Sequence, residues 1–401
     1  MTDLRATLVF LGLDLRGGAP RFAEFVHQAA QSAGFAVTTF NLAAAWNSPM
    51  GSRVSDPTSW MRRSFLHHTG DLAFDCGTRW SEFVVSRYLQ TSQLRAQLEQ
   101  FDVVQVVSGS PAWALAARGL SRPVTLQVAT RIAWERGAWL TQERGWVRRL
   151  PLTSTKRVAD RLDRAGVRLS QEIVVENQVM ADWTRAVRGN KGNVILQPPG
   201  VDMKLFRPRD EGWSPELPMI FVGRFGDHRK GVERLLDCYE QLVRTWPEAP
   251  RLILVGSGAV PSVMEKCLLA DSIRNRVQLR VDVPDDELAA LLRQSSLFLA
   301  TPYEEGLGLA AVEALASGLP VVVTQTDGSG QYVVAGKTGY EIAQDSNAIV
   351  QGFFAGVRHV VKDGTGRTKS VAARGLAETR FDQRQTRKVF GRELIDLALR
   401  R

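Results

Sequence analysis

"EEGLGLAAVEALASGLPVVV", residues 304–323, decides how this chain is read. Its middle is a run of Ala, Leu and Val with helical periodicity, and the "PVVV" that follows a Ser-Gly break has the β-branched composition of a buried strand. Two carboxylates disturb that pattern. Glu305 stands at the mouth of the helix. Glu313 falls within its apolar body, where Leu309, Val312, Leu315 and Ala316 form the core stripe and a helical wheel sets Glu313 at its margin. An unpaired charge there costs several kcal/mol, so Glu313 needs either an internal cation or a ligand hydroxyl. Glu305 can accept hydrogen bonds from a polyhydroxylated ligand, or simply profit from the helix dipole by about 0.3–1 kcal/mol. Gly306 and Gly308 let the backbone N–H groups from Gly306 through Leu307 to Leu309 approach a ligand closely. Glu304 reads as a solvent-facing neighbour.

Strands and helices alternate on both sides of this stretch, as parallel α/β sheets require. In the first half, strands are expected at 7–13, 35–41, 102–108, 123–129 and 172–177, with a helix "FAEFVHQAAQSAG" ending at Gly34; residues 42–100 have no clear period. Around 186–215 the chain turns rich in Gly, Asn, Pro and charge, which marks an interdomain connection carrying one short strand. The pattern then restarts with "MIFVGRF", "GVERLLDCYEQLVRTW", "RLILVGSG", "DELAALLRQS" and "LFLATP". The expected architecture is α/β, with two Rossmann-like, doubly wound parallel-sheet domains facing a cleft. Residues 1–190 form the first domain and 191–380 the second, and 381–401 form a terminal amphipathic helix that packs back toward the first.

The 401 residues are 44% hydrophobic, suited to a globular protein of two domains. No apolar run approaches the roughly 18 residues of a membrane helix, and the N-terminus reads as a first strand rather than a signal peptide. Cys76, Cys238 and Cys267 have neither disulfide-framework nor zinc spacing, which suits a reducing cytoplasm. The net charge of +9 fits an anionic partner, or a solvated arginine-rich surface. Seven of the ten tryptophans lie between Trp46 and Trp146, among basic segments such as "RGWVRRL". That mixture is compatible with peripheral contact on the inner face of a membrane, and equally with ordinary core and surface use. No aromatic-basic module of recognised spacing supports nucleic-acid binding.

Three further segments belong with residues 304–323. In "VGRFGDHRKGVERLL", Arg224 follows a strand and Lys230 precedes a helix, so two cations face one strand–helix junction whose dipole adds positive potential. A diphosphate fits that field, and a charged surface loop is the plain alternative. "TQTDGSGQYVVAGKTGYEI" reads as a strand end, a glycine turn and a helix start, a phosphate-compatible nest or an ordinary turn. In "LDLRGGAPRF", Gly17 and Gly18 lie between the first strand and the first helix without G-x-G-x-x-G spacing, so no dinucleotide fingerprint is present.

In order and spacing these segments resemble the retaining GT-B glycosyltransferases of family four, the glycosyl transferases group 1. Glu305 and Glu313 match the E-x7-E signature, "VGRF…RKGVERLL" is similar to G-R-x-x-x-x-K-G, "PPGVDMKLFRP" resembles the N-G-V-D-x-x-x-F-x-P linker, and "LILVGSG" resembles the V-G-x-G strand. The likeness covers about residues 195–345. It implies a metal-independent retaining enzyme, with no cofactor and a nucleotide-diphosphate-sugar as donor. Arg224 and Lys230 would bind the diphosphate, Glu305 the donor sugar, and Gly306, Leu307, Gly308 and Leu309 would offer backbone amides to it. Glu313 would hydrogen-bond the ribose, and Gly17 and Gly18 would line the phosphate and acceptor side. No D-x-D metal motif is present. The acceptor is left open among glycans, lipid-linked intermediates and small natural products. Departures from the pattern are Ala129 where a His is frequent, Gln331 for a frequent Glu, Pro199 for the linker Asn and Val281 for a common Gly. The absent His leaves a second expectation, a catalytically reduced GT-B-like protein that binds nucleotide-sugar or partners.

Overall fold

A computed structural model describes residues 5–10, 18–42, 51–61, 66–70, 73–80, 83, 85–88, 91–132, 134, 146–189, 192–268, 270–345 and 348–399. The chain folds as two compact units, Met1–Pro199 with Gln385–Arg401, and Gly200–Arg384.

In the first unit the strands are β1 (Arg5–Phe10), β2 (Ala36–Leu42), β3 (Leu66–Gly70), β4 (Ala73–Cys76), β5 (Val103–Ser108), β6 (Val124–Val128), β7 (Glu172–Val175) and β8 (Asn193–Leu196). They line up as β3-β4-β2-β1-β5-β6-β7-β8. Every residue of β5, β6 and β7 is buried. Strands covered on both faces in this way belong to parallel sheets, and all pairs here are parallel except β3 with β4. That antiparallel hairpin corrects the expectation of irregular chain over 42–100. Its strands are short and their sequences, "LHHTG" and "AFDC", carry no alternation to read, so pairing with β2 decides their form. His67 and His68 sit in β3, opposite Asp75 and Phe74. Pairing likewise places β8 in this sheet rather than in a free connection. The terminal helix Gln383–Leu399 buries Phe390, Leu394, Leu397 and Ala398 in one core with Phe22, Phe25, Val26 and Ala30 of the helix Gly18–Ser32. Phe25 meets Phe390 edge-on at 6.0 Å.

The second unit holds β9 (Met219–Arg224), β10 (Leu252–Ser257), β11 (Val277–Val281), β12 (Leu297–Ala300), β13 (Val321–Thr324) and β14 (Gly339–Ile342). Their order is β11-β10-β9-β12-β13-β14, all parallel, so successive strands run outward from β9 one way and then from β12 the other. The reversal between β9 and β12 is a topological switch point, and the crevice beyond its carboxyl ends is where open α/β sheets take ligands. β11 and β14 are the sheet edges. The half-exposed pattern of β11 hides it from a hydrophobic reading. β14 and a single 3-10 turn, Ser329–Gln331, stand where a helix start was expected. Among the described residues no helix is long and apolar enough to cross a membrane. Cys76 and Cys238 are buried and unpaired by disulfide, and burial pushes both thiols up to about 12.

Candidate functional site

The switch point is built from two loops. The first leaves β9 at Arg224 and returns through the 3-10 turn His228–Lys230 into the helix Val232–Thr245. Five residues separate Arg224 from Lys230, one more than in the G-R-x-x-x-x-K-G pattern. Asp227 organises them. Its carboxylate accepts from Arg224 Nη2 at 2.6 Å, and from Arg229 at Nε (3.0 Å), Nη2 (3.0 Å) and the backbone N–H (3.1 Å). Burial alone would raise this carboxyl. The hydrogen bonds from Arg229 and the charges of Arg229, Arg224 and Lys230 outweigh burial and hold it below its usual range. Gly231 then takes φ +61°, and a Cβ there would lie 2.0 Å from the Thr301 carbonyl oxygen. Only glycine satisfies both conditions, so the helix Val232–Thr245 starts pressed against the end of β12.

The second loop runs from Thr301 at the end of β12 to the helix Leu309–Ala316. It is locked to the first at consecutive positions. Arg229 Nη1 donates to Glu304 Oε2 at 3.1 Å, Lys230 Nζ donates to Glu305 Oε2, and the Tyr303 N–H donates to the Arg229 carbonyl at 2.8 Å. Arg234 donates through Nε to the Thr301 carbonyl at 3.1 Å and through Nη2 to that of Pro302 at 2.8 Å, with its guanidinium 4.0 Å from the Tyr303 ring centre. The glycine turn supports the loop from below, since the Gly328 N–H donates to the Glu305 carbonyl at 3.0 Å. Gly308, at φ +85°, begins the helix without a side-chain cap, and a Cβ there would meet the Tyr332 hydroxyl at 3.2 Å. Tyr332 is fully buried, and burial with the charges of Glu305 and Glu341 raises its phenol.

The structure therefore places Arg224, Lys230, Glu305, Gly306, Leu307, Gly308 and Leu309 on the two loops at the switch point and at the starts of the helices that follow them. Glu313 lies on the second of these helices and is 4% exposed. Gly18 opens a helix of the first unit, and Gly17 lies outside the described residues. Glu304 is not the solvent-facing neighbour expected from sequence: its side chain is 13% exposed and bound to Arg229. Nor does the sequence single out Asp227, Arg229 or Arg234. Their only signal is the density of charge in "DHRKGVER", which has no period and says nothing of partners about 75 residues away. At Gln331, the position of the frequent Glu, the side chain accepts from Arg380 Nη2 at 3.0 Å. Among the described residues no cluster of His, Cys, Asp and Glu is arranged to hold a metal.

A family description, Glycosyl transferases group 1, matches residues 208–369, so the second unit carries a domain of that family, and the two-unit chain has the GT-B fold. Over 241 residues the chain is 28% identical to a D-inositol 3-phosphate glycosyltransferase of Corynebacterium diphtheriae, covering 50% of this chain and 56% of that protein. It is 31% identical over 172 residues to the enzyme of that name from Segniliparus rotundus, covering 40% of this chain and 38% of that protein. The chain thus spans about half the length of the curated relatives it matches. Sucrose-phosphate synthase from Thermosynechococcus elongatus superposes with a TM-score of 0.72 at 17% identity, over 98% of this chain and 99% of that one. Anabaena Alr3699/HepE in complex with UDP gives 0.69 at 15% identity, over 98% and 100%. At these identities the likeness is one of fold.

Proposed function

We propose that the protein is a retaining, metal-independent glycosyltransferase that moves a hexose from a nucleotide-diphosphate-sugar to an acceptor hydroxyl. One observation carries this reading: Lys230 and Glu305, from two different loops, meet at the switch point beside two helix N-termini. Arg224 and Lys230 neutralise the diphosphate, and the amides of Gly306 to Leu309 with the helix dipoles stabilise it as it leaves. Glu305 accepts hydrogen bonds from the donor sugar and Glu313 from the ribose. The cations do the work a divalent ion does elsewhere, so no metal or cofactor takes part. Retention follows same-face attack, the leaving phosphate assisting deprotonation of the acceptor hydroxyl. The solved Anabaena neighbour in complex with UDP-glucose supports a nucleotide-sugar donor. The acceptor is a glycan, a lipid-linked intermediate or a small natural product, met in the cytoplasm or on the inner face of a membrane.

The test is turnover of a nucleotide-sugar panel by the wild type and Glu305→Ala, with and without EDTA, and the anomeric configuration of the product read by NMR. Wild-type turnover that survives EDTA, gives a retained product and falls at least about 100-fold in Glu305→Ala is the expected result. Inversion, or loss of activity on chelation, refutes the corresponding part. Ala129, at the end of β6 where the family pattern has a His, favours one second reading, a catalytically reduced protein that binds donor without turning it over. Donor binding with no turnover by the wild type selects that reading.

A further inference from the structure

The opposite end of the second sheet carries a groove that the donor reading leaves unused. Leu217, Ser295 and Leu319 line it, and they precede β9, β12 and β13, whereas the donor loops follow those strands. Strands of four to six residues separate the two ends by about 15 Å. The groove has a volume of about 450 Å³, within the range of small-molecule sites. Four arginines line it, Arg209, Arg293, Arg367 and Arg374, against a single carboxylate, Glu378.

The arginines are of two kinds. Arg374 is fixed by the carbonyls of Phe206 at 2.8 Å and Ala316 at 2.5 Å and by Glu378 at 2.7 Å, and Arg293 by the carbonyl of Leu205 at 3.1 Å. They form a rigid positive wall. Arg209 uses Nε on Glu211 and keeps its outer nitrogens for other partners, while Arg367 is exposed and has no hydrogen-bonding or ionic partner among the described residues. Both flank the turn at Gly212, where Arg367 Nη2 comes within 3.9 Å of the Cβ position of Gly212. Ser370 adds a hydroxyl one helical turn further on. The floor is apolar: Trp213 donates its indole N–H to the Ser296 carbonyl at 2.6 Å and packs against Gly366, beside Leu217 and Leu319. Val371 stands on the rim with 72% of its surface in solvent.

Guanidinium forks recognise phosphate oxygens, and an apolar floor takes the organic part of the same molecule. We infer that this groove is a second anion site, which binds a small organic phosphate between Arg209 and Arg367 with its ring or chain on Trp213.

Isothermal titration with inorganic phosphate, AMP and geranyl monophosphate tests this on the full chain at low salt. We expect at least one organic phosphate to bind with Kd below about 1 mM and more tightly than inorganic phosphate. Binding should weaken at least tenfold in Arg209→Ala/Arg367→Ala and in Ser370→Glu, and stay within twofold of the wild type in Lys230→Ala. All four positions are exposed or half-buried, so an unchanged melting curve separates lost binding from lost folding. AMP binding tightest assigns a soluble ring-bearing phosphate as the ligand, and geranyl monophosphate binding tightest assigns a lipid phosphate. Binding abolished by Lys230→Ala but kept in the arginine double variant belongs to the donor loops and overturns the inference. So does inorganic phosphate binding as tightly as both organic probes, and so does the absence of binding by any probe.

Discussion

The cation proposed to hold the diphosphate is paired with the carboxylate proposed to hold the sugar, and this makes Glu305→Gln the most informative substitution. The Lys230 and Glu305 side chains are 22% and 20% exposed, so their pair is partly screened. Two unit charges about 4 Å apart attract by about 4 kcal/mol at an effective dielectric of about 20. Desolvation and side-chain ordering offset most of that, leaving about 1 kcal/mol. An incoming diphosphate must displace Glu305 from Lys230 and also approach its negative charge. Glutamine removes the charge and keeps the shape. We expect nucleoside diphosphate to bind about threefold to tenfold more tightly to Glu305→Gln, a gain of about 0.7–1.4 kcal/mol. Transfer should fall about 100-fold as the sugar contact weakens. Isothermal titration with nucleoside diphosphate and with intact donor separates the two effects. Lys230→Ala should weaken both ligands, and in the double variant the advantage of Glu305→Gln should shrink to the part that comes from removing its charge, because the competition runs through the Lys230 contact. Diphosphate affinity in Glu305→Gln equal to or below that of the wild type refutes the competition.

Other consequences follow from the same loops. Gly231→Ala forces φ +61° on an L-residue and drives Cβ into the Thr301 carbonyl, so unfolding should need at least about 2 kcal/mol less, measured as a fall of several degrees in Tm. Asp227 is held below the usual carboxylate range, so its contribution to stability is complete at neutral pH and above the unfolded pKa near 4, and it is lost as pH falls through the lower folded value. The gap between the urea midpoints of wild type and Asp227→Asn should therefore narrow steadily as pH falls below about 4, and a gap that does not narrow speaks against the assignment. Glu304→Ala frees Arg229 from the second loop and should raise the donor KM about threefold to tenfold while changing kcat less, with Glu304→Asp recovering part of the loss. Equal falls in kcat and kcat/KM would mean that Glu304 touches the reacting atoms instead.

Much of this molecule is legible in its sequence because the decisive signals are local. The short, mostly apolar and β-branched runs of β5, β6, β9, β10 and β13 announce buried parallel strands. A charge within an apolar helix marks Glu313, and glycine beside a strand–helix junction marks Gly306 and Gly308. The strands β3, β4, β11 and β14 are not legible, because a strand at or next to a sheet edge takes its form from the neighbour it pairs with and carries little period of its own.

The sequence by itself determined the fold class and the residue types of the two loops at the switch point. Burial periodicity and glycine placement are properties of a short stretch of chain, readable wherever they occur. Only the tertiary structure decided which charges meet. Lys230 with Glu305 and Arg229 with Glu304 are each separated by 75 residues, and it is the switch between β9 and β12 that sets those loops side by side. The same is true of the groove at the other end of the sheet, where Arg209 and Arg367 come to one turn from distant parts of the chain. Electrostatic partnership depends on distance in space and on dielectric, and neither is written along the chain.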